Sequence, residues 1–60
     1  MNKYIVYLSN NEEVIVDAER FKDDGVTVSF QVSKTTEFTK DYETVAQFVL
    51  SSIYGYGKIE

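Results

Sequence analysis

Six carboxylates crowd residues 12 to 24: Glu12, Glu13, Asp17, Glu19, Asp23 and Asp24. Paired carboxylates can move protons or hold a hard cation. A calcium loop of the helix-loop-helix kind needs oxygen ligands at its first, third, fifth and twelfth positions and a glycine at the sixth. With Gly25 at the sixth position, Arg20 falls at the first, Lys22 at the third and Gln31 at the twelfth, and only Asp24 fits. Two cations would stand where carboxylates are required. Asp23-Asp24-Gly25 is therefore read as the corner of a hairpin, for which Asp-Gly is a strong signal. Acid-base catalysis by the same residues needs a concave pocket that shifts a pKa and holds a substrate. A chain of 60 residues spends nearly all its interior on its own core, so the carboxylates are expected to form a solvated face.

Other catalytic chemistries fall away by composition. The chain has no His and no Cys, which excludes Ser-His-Asp and Cys-His nucleophiles, disulfides and the usual zinc sites. The C-terminal Gly55-Tyr56-Gly57-Lys58 places two glycines before a lysine. It lacks the long glycine-rich loop and the Ser/Thr of a phosphate-binding motif, and reads as a turn. No enzyme activity, cofactor or metal is expected.

The elements that must position any functional residue come next. Residues 3 to 8, "KYIVYL", read as a strand with apolar side chains on both faces, suited to a central position or a subunit contact. "SNNEE" is a set of turn formers, and 13 to 18, "EVIVDA", forms a second strand in an antiparallel hairpin. "ERFK" fits either one helical turn or the continuation of a bent strand. "VTVSFQVS" alternates cleanly, with Val26, Val28, Phe30 and Val32 on one side. Residues 34 to 43 are polar and mixed in charge, and read as a loop or protruding excursion, with Phe38 and Tyr42 either as contact residues or folded back onto the core. In the last third, Tyr42, Val45, Ala46, Val49, Leu50 and Ile53 have helical spacing, with Asp41 and Gly55 as caps. A strand over 44 to 50 followed by a turn at Ser51-Ser52 fits as well, and periodicity slightly favours the helix.

The order of these features resembles a loose group of small β proteins of bacilli, their phages and other mobile elements. The residues that carry it are an "NxEVxVDA" stretch at 11–18, Phe21, "DDGV" at 23–26, Phe30, "VAxF" at 45–48 and "IxG" at 53–55. The resemblance omits 33–43 and rests mostly on core and turn residues. It brings no catalytic motif. It implies a strand rather than a helix at "VAxF".

Composition bounds the partners. Five Tyr and four Phe among 43% apolar residues belong to a folded chain. Burial on folding supplies ~90 kcal/mol and chain ordering costs ~90 kcal/mol, so self-association is an expected aid to stability. Ten acidic against six basic residues, a net charge of −4, argue against a phosphate backbone as ligand. No apolar run approaches a membrane span, and "YIVYL" lacks the features of a signal peptide.

The expectation is a single domain over residues 1–60, mainly β: a small antiparallel meander or partly closed barrel of four to five strands. The alternative is α+β, hairpins plus a C-terminal helix at 41–54. It is expected to act by stoichiometric protein binding in the cytoplasm of a bacterial host and to form a homodimer. The mobile-element resemblance implies an accessory protein that inhibits a host defence factor. A structural or assembly role and nucleic-acid binding are the alternatives. The partner-binding candidates are Phe38, Tyr42, Tyr54, Tyr56, Asp23 and Asp24, the tyrosines because they join an apolar ring to a polar tip.

Overall fold

A computed structural model describes residues 1–59 as six strands: β1 (Asn2–Leu8), β2 (Glu13–Ala18), β3 (Arg20–Asp23), β4 (Thr27–Thr35), β5 (Lys40–Val49) and β6 (Ile53–Lys58). They form two three-stranded antiparallel sheets, in the orders β2-β1-β6 and β3-β4-β5. The chain is mainly β, as composition and alternation indicated, and the sheets do not close into a barrel. The helix at 41–54 does not form. A strand occupies 40–49, and only Leu50–Ser52 coil, as one 3₁₀ turn. Of the helically spaced residues, Ala46, Leu50 and Ile53 pack against the core, whereas Tyr42, Val45 and Val49 are exposed, so the spacing does not mark one buried face.

The strand count exceeds the expected four to five because the second strand breaks at Glu19. Tyr4 lies opposite Val16 and Phe21 opposite Phe30. Core-facing residues are therefore even-numbered in β2 and odd-numbered in β3. This one-residue phase change lets a single stretch of chain serve both sheets. Across the corner the Glu19 N–H still bonds the Gln31 carbonyl at 2.9 Å. Ala18, fully buried at the corner, is small enough for the sheets to converge there. "ERFK" is thus a bent strand rather than a helical turn.

The core between the sheets is Tyr4, Val6, Val16, Ala18, Val28 and Phe30, with Leu8, Val14, Ala46, Phe48, Leu50, Ile53 and Tyr56 packed against it. Aromatic rings form its spine. Tyr4 meets Phe30 at 5.2 Å between centroids, and Phe48 and Tyr56 each meet Phe30 edge-on at 6.1 Å. Such edge-on pairs align the positive ring rim of one with the negative face of the other.

Two turns depend on left-handed backbone. Asn11 has φ 68° in the β1–β2 turn, and Gly25 has φ 88° in the β3–β4 turn. Asn tolerates that region and Gly enters it freely. Residues 33 to 43 are less irregular than their polarity suggests. β4 and β5 extend through most of that segment as a long hairpin, leaving only 36–39 as loop. Here cross-strand pairing outweighs composition, because each residue added to the ladder gains backbone bonds. The extents of 42 × 24 × 12 Å and the 12.3 Å radius of gyration exceed the ~10 Å of a compact chain of this length.

Candidate protein-binding surface

Asp23 and Asp24 sit in the β3–β4 turn and are spent largely on building it. Asp24 accepts from the Thr27 N–H at 2.7 Å and the Val26 N–H at 2.9 Å. Those bonds, Thr27 first, hold its carboxyl below the usual carboxylate value of 3.8. Asp23 accepts the Gly25 N–H at 2.8 Å with one oxygen and the Tyr56 hydroxyl with the other. The Tyr56 bond, then the Gly25 bond, lowers its pKa, while the same contact raises that of Tyr56 above 10.0. Tyr56 is thereby a bridge between the sheets. Its ring lies 5.4 Å from Phe21, and its hydroxyl ties β6 to the end of β3. It is held from within rather than presented for contact.

Tyr42 is committed differently. The Arg20 guanidinium stacks over its ring at 3.3 Å from the centroid, and Arg20 Nε donates to Gln31 Oε1 at 2.9 Å. This fixes the base of the β4–β5 hairpin against β3. The adjoining shallow hollow, about 200 Å³, is lined by Glu19, Ser33, Thr35, Lys40, Asp41 and Tyr42. All six are solvent-exposed, so the hollow desolvates nothing strongly. Among the described residues no three carboxylates converge as a metal cage would need.

Phe38 and Tyr54 are the candidates that face solvent. Phe38 is 90% exposed at the tip of the β4–β5 hairpin. The tip is fastened by Thr36 and Thr39, whose hydroxyls lie 2.8 Å apart and whose backbones bond at 2.9 Å. Tyr54 is 75% exposed for a reason found in the ladder. Tyr7 pairs with Gly55 and Leu8 with Ile53, so Tyr54 is an extra residue with no partner. A β-bulge of this kind re-aims a side chain. Val45 is the same case in β5, between Thr44 opposite Gln31 and Ala46 opposite Phe30.

Three residues that sequence reasoning did not single out lie on the outer side of the β2-β1-β6 sheet. Ile5 pairs with Ile15 and with Gly57, and Tyr7 pairs with Gly55. Ile15 is 51% and Tyr7 44% exposed, and Ile5 is partly buried. A side chain built at Gly55 or Gly57 would meet nothing within 4 Å, so the face is open beside them. The signal was present: "YIVYL" is apolar on both faces, and its second face needs a cover just as its first does. The six candidates do not form one patch. Two build a turn, one bridges the sheets, one supports a hairpin, and two stand free.

The chain matches no protein-family model, no curated protein and no solved structure.

Proposed function

We propose that this protein works by stoichiometric binding of another protein, through the outer face formed by Ile5, Tyr7 and Ile15 and through the exposed rings of Tyr54 and Phe38. One observation carries the reading: a sheet whose inner side already fills the core keeps a second apolar side in water. Exposed apolar surface bordered by Lys3, Asp17 and Glu13 has the composition of an interface, apolar at its centre and charged at its rim. The resemblance to proteins of bacilli, phages and mobile elements makes the partner a bacterial host factor and the outcome its inhibition. Apolar plugging suits that role better than mimicry of a phosphate backbone, because Asp24 is bonded within its own turn and Asp23 divides its oxygens between that turn and Tyr56.

The test is photo-crosslinking from a benzophenone side chain at position 15 or 54 in a bacillus lysate. One discrete adduct is expected, lost on adding excess unlabelled protein and nearly insensitive to salt between ~0.05 and ~0.5 M. Excess Ile15→Lys/Tyr54→Ala protein that fails to compete the adduct away supports the reading, and adducts that vary from run to run overturn it. No discrete adduct from either position overturns it.

A further inference from the structure

We propose that β5 pairs edge to edge with β5 of a second copy of this chain, antiparallel about a twofold axis at Gln47. The two outer sheets then become one continuous six-stranded sheet. This stands apart from the Ile5, Tyr7 and Ile15 face above, which lies on the other sheet, and from Phe38, which is at the far tip of the hairpin.

The inference begins with the four open sheet edges. Strand edges invite pairing unless something blunts them. Along β2, the Leu8 N–H bonds the Glu12 carbonyl, so alternation turns the backbone of Glu13, Ile15 and Asp17 outward. Two of those three residues are acidic. β3 has four residues, and Tyr56 reaches across to its end. β6 has two glycines, a bulge and Lys58. β5 is different. It is ten residues long with one bulge, at Val45, no strand among the described residues pairs with its far side, and residues 44 to 50, "TVAQFVL", hold no charge, glycine or proline. That is the composition of a segment that pairs readily with its own kind.

The register follows from the ladder. The Leu50 N–H bonds the Val26 carbonyl at 2.9 Å. Alternation therefore turns Phe48 and Ala46 toward β4, and leaves the N–H and C=O of Gln47 and Val49 directed off the sheet. Gln47 is also the midpoint of the uncharged run 44–50. Self-pairing there exchanges two backbone bonds between Gln47 and Gln47 of the second copy. It sets Ala46 opposite Phe48 of the second copy, with the ladder ending where the Val45 bulge meets Val49. The pairing of Ala46 with Phe48 repeats within the dimer what β4 and β5 already do, where Phe30 lies opposite Ala46. A register shifted by two residues would oppose Phe48 to itself instead. The nearest charge, Glu43, lies beyond the Val45 bulge and outside the ladder, so no like charges meet. A second copy is thus the occupant this edge fits, in size, charge and symmetry alike.

Gln47 is exposed on the outer face, which allows a charge-swap test. Sedimentation equilibrium of wild type should give twice the chain mass. Gln47→Lys and Gln47→Glu place like charges directly opposite one another at the axis, and each should sediment as a monomer. An equimolar mixture of the two should return the dimer. Ile15→Lys, on the other sheet, should leave the wild-type dimer intact. A wild type that stays monomeric at roughly millimolar concentration overturns the proposal. So does a dimer that survives both Gln47 variants, or one that Ile15→Lys dissolves. Should the Gln47 variants fail to fold, isotope-filtered NMR on mixed labelled and unlabelled wild type decides. A contact between the Phe48 ring and the Ala46 methyl of the other copy supports the pairing, and its absence in a dimeric sample overturns it.

Discussion

The Tyr56 hydroxyl donates its proton to the Asp23 carboxylate, joining the last strand of one sheet to the edge strand of the other. The two residues are 33 positions apart, and both are polar at their contacting ends. The bond closes the side of the sandwich where β3 and β6 have no backbone pairing. Its ring packing with Phe21 and Phe30 would survive loss of the hydroxyl.

That bond makes stability depend on pH at both ends of the scale. The Asp23 pKa is lower folded than unfolded, so its contribution is present above about 3.8 and is lost as pH falls through the folded value. The Tyr56 pKa is higher folded than unfolded, so its contribution is present below about 10.0 and is lost as pH rises through the folded value. Tyr56→Phe removes the largest cause of the Asp23 shift while keeping the ring. Its melting temperature should therefore change less than that of wild type on acidification from pH ~5 to ~2. In Asp23→Asn, phenolate absorbance should show the tyrosine that ionises late in wild type titrating earlier. Equal acid limbs for Tyr56→Phe and wild type would refute the assignment.

The β3–β4 turn is expected to be sensitive at Gly25 and at Asp24 for separate reasons. Gly25 has open space around it, but its φ of 88° is costly for any other residue. Gly25→Ala should destabilise by about 1 kcal/mol in urea unfolding. Asp24→Ala removes the acceptor for two N–H groups and should also destabilise, whereas Asp24→Asn keeps an acceptor oxygen and should fall between. If Asp24→Ala matched wild type, the carboxyl would be free for a partner after all.

Much of the fold is legible in the sequence because alternation and turn chemistry are local. Val26 to Val32, Asp-Gly at 24–25 and Asn-Asn at 10–11 each identify their element from a few neighbours. What was hidden lies where the two-residue period slips. Phase changes at Glu19, at Val45 and at Tyr54 each depend on the partner strand, which no local window contains. The candidate site was read less well. Polarity and aromatic character marked Asp23, Asp24 and Tyr56 for contact; in the fold Asp24 bonds within its own turn, and Asp23 and Tyr56 bond each other across 33 positions, a pairing no local window contains. Ile5 and Ile15 were ordinary strand residues until the sheet order showed which side has no cover.

The Arg20–Tyr42 stack should act as a brace for the protruding hairpin. Arg20 is on the short edge strand and Tyr42 on the hairpin's returning arm, with β4 between them. A double-mutant cycle of Arg20→Ala and Tyr42→Leu should give a coupling of about 0.5–1 kcal/mol, the range for an exposed cation over a ring. Amide exchange at Val32 and Lys34, whose N–H groups face β5, should quicken in either variant while that at Val28 does not. Additive variants would show that the stack is incidental.

Phe30 and Phe38 are eight residues apart on one hairpin and should respond to alanine in opposite ways. Phe30 is fully buried and touches Tyr4, Phe48 and Tyr56, so it links both sheets. Emptying that position costs about 3–5 kcal/mol. A chain of this length has only about 3–9 kcal/mol of stability in total, so Phe30→Ala should lose most or all of its cooperative urea transition. Phe38 touches water over nearly its whole surface, and its loop is held by threonines rather than by the ring. Phe38→Ala should shift unfolding by less than about 0.5 kcal/mol. If Phe38 belongs to the proposed interface, its effect falls on binding rather than on the fold. Phe38→Ala should weaken partner capture, measured beside an unchanged melting curve. Phe38→Tyr, which keeps the ring, should restore it. Capture that does not change in Phe38→Ala would remove the hairpin tip from the interface and leave the outer sheet face alone to carry it.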